Sequence, residues 1–203
     1  GRLGRGSAAC LALFLVLALT GCTATPQTTL VPRSDFAQQI QSLFELILVF
    51  AVLVFVVVEG ALIYAIVRFR RKPGQGLPPQ THGNQRLEVA WTIAPAIILV
   101  VISIPTIGTI FATQRPPAPD AFQVQVIGHQ WWWEFRYPEL NIVTANELHI
   151  PVGRPISLSM ESADVIHSFW APQLGGKRDV FPKRVTRLSF TANQPGIYLG
   201  QCA

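Results

Sequence analysis

Two long apolar runs in the first half of the chain constrain its fold more than any other feature. Residues 43–67 contain only two charged side chains, Glu45 and Glu59, and residues 89–111 contain none. At a rise of ~1.5 Å per residue, each run can cross a hydrocarbon core of about 30 Å. We therefore predict a two-helix transmembrane domain over residues 40–113. Only 13% of the residues are charged, about half the usual fraction, which argues against an ordinary cytosolic enzyme.

The short loop between the two predicted spans is basic. Residues 68–86 carry five arginine or lysine side chains, and the first acid after them is Glu88. Cytoplasmic loops of membrane proteins are enriched in lysine and arginine, so this loop should lie in the cytoplasm. Everything after residue 115 is then expected on the outer face of the membrane.

The first 21 residues have the pattern of a secretory signal. Arg2 and Arg5 precede an apolar stretch of about ten residues, which is too short to span a bilayer. The stretch ends in Leu19-Thr20-Gly21-Cys22, which resembles a bacterial lipobox and predicts a lipid on Cys22 after cleavage. A plain signal peptide with a chance cysteine is the alternative. Either signal would place the mature N-terminus outside, in agreement with the basic loop.

Residues 120–203 are predicted to form an exported β-sandwich. Alternation of apolar and polar residues recurs at 122–127, 147–150, 156–160 and 186–190, between turns rich in proline and glycine. This period of two is typical of half-buried strands. The segment carries seven basic and seven acidic residues, so it lacks the positive surface that nucleic-acid binding requires.

Three consecutive tryptophans lie in this predicted domain. If the run is a strand, Trp131 and Trp133 share one face and Trp132 takes the other, so the three rings cannot all enter one core. At least one ring is then free to meet a partner. The alternative is a belt of aromatic side chains at the membrane interface.

A histidine and a cysteine in the same domain are candidate metal ligands. Of the three cysteines, Cys10 would be removed with the signal and Cys22 would carry lipid, which leaves Cys202 unpaired. An unpaired cysteine in an exported protein indicates a metal or reactive role. Thiolate and imidazole are ligands that suit copper, and His167 on an earlier strand offers the imidazole. A histidine alone is more often a satisfied polar residue.

Several motifs, in a fixed order, resemble one protein family. They are Glu88-Val-Ala-Trp91-Thr-Ile-Ala-Pro95, Gly128-His-Gln-Trp131, Asp164-Val-Ile-His167-Ser, Pro172-Gln-Leu-Gly175 and Pro195-Gly-Ile-Tyr-Leu-Gly-Gln-Cys202. The resemblance runs from about residue 36 to the end of the sequence. The chain resembles subunit II of the haem-copper cytochrome c oxidases, in a bacterial form.

The resemblance implies a cupredoxin-like β-sandwich with a dinuclear copper centre, CuA, on the periplasmic face of a bacterial plasma membrane. His167 and Cys202 match the first two copper ligands of the family. The remaining ligands are expected beyond Ala203, as is the residue that reaches a magnesium ion shared with subunit I. The sandwich is accordingly expected to be incomplete at its C-terminus.

The resemblance also assigns roles to three other residues. Trp131 matches the aromatic residue where electrons arrive from cytochrome c, and Trp132 stands where many relatives have tyrosine. Glu88 matches the acid at the cytoplasmic mouth of a proton pathway into subunit I. In a purely structural interpretation, Glu88 only stabilises the first turn of the second helix.

The implied partners are oxidase subunits I and III, the membrane, and a cytochrome c that is either soluble or fused to the C-terminus of the chain. Electrons would pass from copper to haem and the oxygen-reducing site in subunit I, coupled to proton translocation. Haem is expected only in partner subunits or in a fused domain.

Two alternatives to the cytochrome c oxidase assignment stay open. Subunit II of a quinol oxidase has the same layout but lacks the copper ligands, and a membrane-anchored lipoprotein can serve a structural role alone. The presence of His167 and Cys202 favours the copper form.

Overall fold

The structure is a computed structural model that describes residues 27–71, 74, 76, 80 and 82–203. The predicted signal at residues 1–21 and the predicted lipid attachment at Cys22 lie outside the described residues.

Two long helices contain the apolar runs. Helix α1 spans Asp35–Arg68 and helix α2 spans Gln85–Thr113. Ser34 and Asn84 cap their N-termini with side-chain oxygens that accept backbone N–H groups. Both helices are long and apolar enough to cross a membrane, and most of their large apolar side chains are exposed. Both predicted spans lie inside these helices.

Eight strands follow in the described part of the chain and form two sheets. They are β1 Phe122–His129, β2 Trp132–Tyr137, β3 Ile142–Ala145, β4 Pro155–Ser162, β5 His167–Trp170, β6 Arg178–Val180, β7 Thr186–Thr191 and β8 Gln201–Cys202. The larger sheet has the order β3-β2-β1-β4-β7 and the smaller sheet the order β6-β5-β8. Strands β1 and β4 run parallel, and the other paired strands are antiparallel. The predicted architecture, two apolar helices followed by a β-sandwich, is confirmed.

Alternate side chains of the larger sheet fill the core of this outer domain. Val124 and Val126 of β1 and Leu158 and Met160 of β4 are fully buried. On β1 the intervening side chains face outward, as the period of two requires. Three of the four predicted strands coincide with β1, β4 and β7 and are confirmed.

The fourth predicted strand, at residues 147–150, is wrong, because these residues form a loop. Leu148 and Ile150 nevertheless pack against the core. The backbone N–H of His149 donates to the Tyr137 hydroxyl at 2.7 Å instead of joining a strand ladder. The alternating pattern is therefore that of a loop whose apolar side chains pack against the core.

The residues before α1 belong structurally to the outer domain. Residues 31–37, which we call the N-terminal strap, lie against the end of β7 and the loop after β5. The backbone N–H of Arg33 donates to the Gln173 carbonyl, and the Arg33 carbonyl accepts from the N–H of Asn193, both at 2.8 Å. Phe36 is 6% exposed and joins the core of the sandwich. The strap therefore fixes the start of the membrane helix to the outer domain.

Ser34 provides the polar contacts at the centre of the strap, and its loss should weaken the outer domain. Its hydroxyl donates to the Leu174 carbonyl and accepts from the N–H of Ala37 at 3.0 Å, in a fully buried position. We expect Ser34→Ala to lower the free energy of unfolding by about 1–2 kcal/mol. Urea unfolding followed by tryptophan fluorescence measures this change. Ser42→Ala, at an exposed helical position, is the matched control, and equal midpoints for both variants would contradict the expectation.

Candidate metal centre

The two predicted metal ligands lie on neighbouring strands of the smaller sheet. His167 begins β5, and Cys202 of β8 is paired with Phe169 of β5. Residues opposite each other in an antiparallel pair face the same side, as do residues two apart on one strand. His167, Phe169 and Cys202 therefore share one face, with His167 and Cys202 on the diagonal, where side chains are ~7–8 Å apart. The structure brings the predicted pair together.

The imidazole of His167 is held in a defined orientation. Its Nε2 lies 2.7 Å from Oδ1 of Asp164, and the edge of its ring faces Trp133, with ring centroids 5.6 Å apart. The side chain is only 10% exposed. An ionised carboxylate can only accept, so Nε2 donates to it and Nδ1 is left to offer a lone pair to a metal.

Asp164 is the centre of a hydrogen-bond network beside this histidine. The His167 hydrogen bond, together with N–H groups of Gln130 and Val165, holds the pKa of the Asp164 carboxyl well below its usual range. Both N–H groups donate at 2.6 Å. The carboxylate therefore connects the turn at Gln130 and Trp131 to the loop that leads into β5 and to His167, the first residue of that strand. In the sequence Asp164 was only part of a motif.

The three tryptophans occupy three different environments. Trp131 lies in the two-residue turn between β1 and β2 and is 90% exposed. The ring of Trp132 stacks on His129 at a centroid distance of 4.4 Å, on the outer face of the sheet. Trp133 points inward and contacts Phe169 edge-on at 5.4 Å. The expectation that Trp131 and Trp133 share a strand face is wrong, because the strand starts only at Trp132.

Trp133 is the site residue that sequence reasoning missed. It was one of three similar neighbours, and only the pairing of β1 with β2 shows that its ring reaches His167. The available signal in the sequence was a possible two-residue turn at Gln130 and Trp131. With that turn the second strand begins at Trp132, and the side chain of Trp133 faces inward.

A buried acid supports the outer face of the same hairpin. Glu134 accepts a hydrogen bond from the Arg136 guanidinium and lies 2.9 Å from Nε2 of His129. The Arg136 hydrogen bond is the main reason that the pKa of Glu134 is lowered, against the opposing effect of burial. Because His129 also stacks on Trp132, this group fixes the orientation of the Trp132 ring.

The donor set fits a soft or borderline metal. Cys202 is a free, exposed thiol, and His167 offers an oriented imidazole on the same face. Thiolate and imidazole together favour copper over magnesium or calcium. Among the described residues there is no group of three or more potential metal ligands, and His167 and Cys202 are a candidate pair of ligands.

Glu88 lies at the opposite end of the molecule, in the first turn of α2. The capping of that helix is performed by Asn84, whose side-chain oxygen accepts from the N–H groups of Arg86 and Leu87. The structural role considered for Glu88 is thus reduced to an interaction with the helix dipole.

Two family models match the chain. One, described as the transmembrane domain of cytochrome C oxidase subunit II, matches residues 28–108. The other, described as the periplasmic domain of the same subunit, matches residues 140–203. The chain belongs to the cytochrome c oxidase subunit II family. The first match contains Glu88, and the second contains His167 and Cys202.

Relatives of two kinds resemble this subunit II. Cytochrome c oxidase subunit 2 of Alkalihalophilus pseudofirmus is 38% identical over 197 residues, covering 94% of this chain and 58% of the relative. Quinol oxidase subunit 2 of Bacillus cereus is 33% identical over 202 residues, covering 97% of this chain and 69% of the relative. This chain therefore spans between 58% and 69% of the length of these two proteins.

A solved structure also matches part of this subunit II. The crystal structure of the periplasmic domain of subunit II of cytochrome oxidase of Bradyrhizobium japonicum is 28% identical, with a TM-score of 0.41. The match covers 43% of this chain and 75% of that chain. The family models identify this subunit II as a haem-copper oxidase subunit, a membrane protein whose β-sandwich lies on the outer face.

Proposed function

We propose that this subunit II receives electrons from cytochrome c at a dinuclear copper centre in its outer domain. It passes them to haem and the oxygen-reducing site of subunit I, coupled to proton translocation. The observation that carries the proposal is the position of His167 and Cys202, which share one face of the smaller sheet in a subunit II fold. Haem belongs to the partner subunits or to a fused cytochrome domain.

The chain's own residues prepare that face for copper. Asp164 orients His167 by its hydrogen bond at 2.7 Å, as carboxylates do for metal-bound histidines elsewhere. Phe169, which lies two residues after His167 and directly opposite Cys202, is buried and anchors this face to the core of the sandwich. Two coppers that share charge through thiolates would supply one-electron transfer with little movement of atoms. We expect the other copper ligands, and the residue that binds the shared magnesium, after Ala203.

The route of electrons from the surface to the metal follows the hairpin. The exposed ring of Trp131 supports a docking role for the electron donor. Trp132 lies beside it on the outer face, and Trp133 provides direct contact with His167. Electrons would therefore enter at Trp131 and Trp132 and reach the proposed copper ligand His167 through the ring of Trp133.

The proposed setting is the plasma membrane of a bacterium, with the β-sandwich in the periplasm. The exposed apolar faces of α1 and α2 support contact with lipid and with subunit I, and subunit III is a further partner. The cytochrome c is either soluble or fused to the chain. The signal peptide and the lipid on Cys22 remain predictions from the sequence alone.

The test of the proposed function is the copper content of the oxidase that contains the full-length gene product. We expect two coppers in subunit II and the EPR signal of a delocalised mixed-valence pair. Oxidation of reduced cytochrome c should be measured in parallel with oxidation of a quinol.

Quinol oxidase subunit II is the second candidate, because the Bacillus cereus protein of that name matches 97% of this chain. Quinol oxidation by an enzyme without copper in subunit II would establish that alternative and overturn the proposal.

Glu88 gives a prediction for the cytoplasmic side. If its carboxylate collects protons there, Glu88→Gln should slow oxygen reduction several-fold while the copper and haem spectra stay unchanged, since the amide cannot carry a proton. The measurement is oxygen consumption between pH 6 and 9. Glu45→Gln, which removes an acid from α1, is the matched control. Unchanged turnover of Glu88→Gln over this pH range would leave Glu88 with its structural role alone.

A further inference from the structure

A polar groove lies between the end of α2 and the outer face of the larger sheet. Its volume is about 820 Å³. One wall is formed by Thr113, Gln114 and the prolines that follow, and the other by strands β1, β4 and β7. None of the residues proposed as copper ligands, as the electron entry or as the proton entry lines this groove.

The lining of the groove is strongly basic. Among the residues that the structure describes, four arginines line it, Arg115, Arg178, Arg184 and Arg187, and no aspartate or glutamate does. Serine and threonine hydroxyls from β4 and β7 add hydrogen-bonding groups between the arginines. Four positive charges without a counter-charge in one groove favour an anionic occupant.

The guanidinium groups of the groove have no carboxylate partner within the described ranges, 27–71 and 82–203 with residues 74, 76 and 80, although that of Arg184 lies over the Phe181 ring, 5.3 Å from its centroid. None of the four arginines takes part in a salt bridge there, whereas Arg136 and Arg154 of the same domain each pair with a glutamate. Nε of Arg178 is buried and has no hydrogen-bond partner among those residues. A buried polar atom of this kind is normally satisfied, so this N–H group is available to an acceptor that enters the groove.

The position of the groove indicates which anion it meets. Thr113 is the last residue of α2, the second membrane helix, so the groove opens at the level where that helix leaves the membrane on the outer face. Phospholipid phosphates lie at this level. Arginine binds phosphate oxygens through paired N–H groups, and basic pockets beside membrane helices bind anionic headgroups.

We propose that this groove is a binding site for the phosphate headgroup of an anionic phospholipid from the outer leaflet. Arg178 on β6 and Arg187 on β7 contact the phosphate from one side and Arg115 on the linker from the other, and Val185 and the prolines lie beside the glycerol region. The site rests on the membrane topology of the family and not on copper or on the choice of electron donor.

The test is native mass spectrometry of the chain, expressed in membranes and purified in mild detergent with the subunits that accompany it. Phosphatidylglycerol is the probe, and phosphatidylcholine and inorganic phosphate are the comparison ligands. We expect wild type to retain phosphatidylglycerol at least tenfold better than phosphatidylcholine, and Arg178→Gln/Arg187→Gln to lose this preference. Arg154→Gln, which removes an arginine that lies elsewhere and pairs with Glu139, is the matched control and should keep it.

A second variant distinguishes a loss of lipid binding from a folding defect. Arg115→Gln lies in the linker, outside both sheets, and should also weaken retention of phosphatidylglycerol. Equal retention by wild type and the groove variants overturns the proposal. Displacement of the lipid by millimolar inorganic phosphate would identify free phosphate as the occupant. Loss of subunit I without any change in lipid would identify an acidic surface of that subunit, and either result overturns the assignment to lipid.

Discussion

Cys202→Ser is expected to abolish the copper centre. A serine hydroxyl is a harder ligand than a thiol and stays protonated at neutral pH, so it cannot replace the thiolate that would hold copper. Copper per chain, the EPR signal and the oxidation of cytochrome c should all fall to background. Elemental analysis and EPR of the purified oxidase measure the first two quantities directly.

The position of Cys202 makes this a sharp test. The thiol is exposed and lies in a two-residue strand, so the substitution removes little packing and the sandwich should stay folded. Ser42→Ala, at an exposed position of α1, is the control and should retain full copper. A normal copper spectrum in Cys202→Ser would show that the assignment of the metal centre is wrong.

Gly128→Ala is expected to disturb the same centre without changing any ligand. A Cβ at position 128 would lie 2.7 Å from Cδ2 of His167 and 3.3 Å from the ring of Trp133. The His167 ring cannot easily move away, because it is nearly buried and held by Asp164. We expect copper affinity to fall about 10–100-fold, as when other groups that orient metal ligands are lost.

A copper titration followed by EPR measures this effect, and a thermal melt separates it from unfolding. Overpacking of this kind costs about 1–3 kcal/mol of stability. Gly196→Ala is the matched control, since the nearest atom to its new Cβ would be the Tyr198 hydroxyl at 3.3 Å. If Gly128→Ala is folded and binds copper as wild type does, His167 is not held in the way that the structure indicates.

The elements that the sequence predicted well are those governed by local periodicity. The two apolar runs became α1 and α2, and alternation along β1, β4 and β7 correctly indicated their buried faces. The pairing of His167 with Cys202 was predicted from ligand chemistry and from resemblance. Their common face depends on the register between Phe169 and Cys202, which no local pattern shows.

The elements that the sequence did not predict depend on contacts between distant segments. Residues 147–150 alternate as a strand does, yet the Tyr137 hydroxyl takes the place of a ladder partner. Trp133 differs from its neighbours only through the turn that precedes it. The arginines of the groove are separated by more than sixty residues, from Arg115 to Arg178, so only the folded chain places them side by side.

The N-terminal strap has a consequence for how the outer domain moves. A domain joined to the membrane by one linker would be free to pivot about it. This domain has two anchor points. The linker joins it to α2, and Arg33, Ser34 and Phe36 hold the start of α1 against the segments around Gln173 and Asn193. Two anchors remove most of that rotation, so the height and tilt of the sandwich above the membrane are set by the two helices. If electrons pass from this domain to a membrane-embedded partner, as proposed, the distance that they must cross is then constant from one turnover to the next.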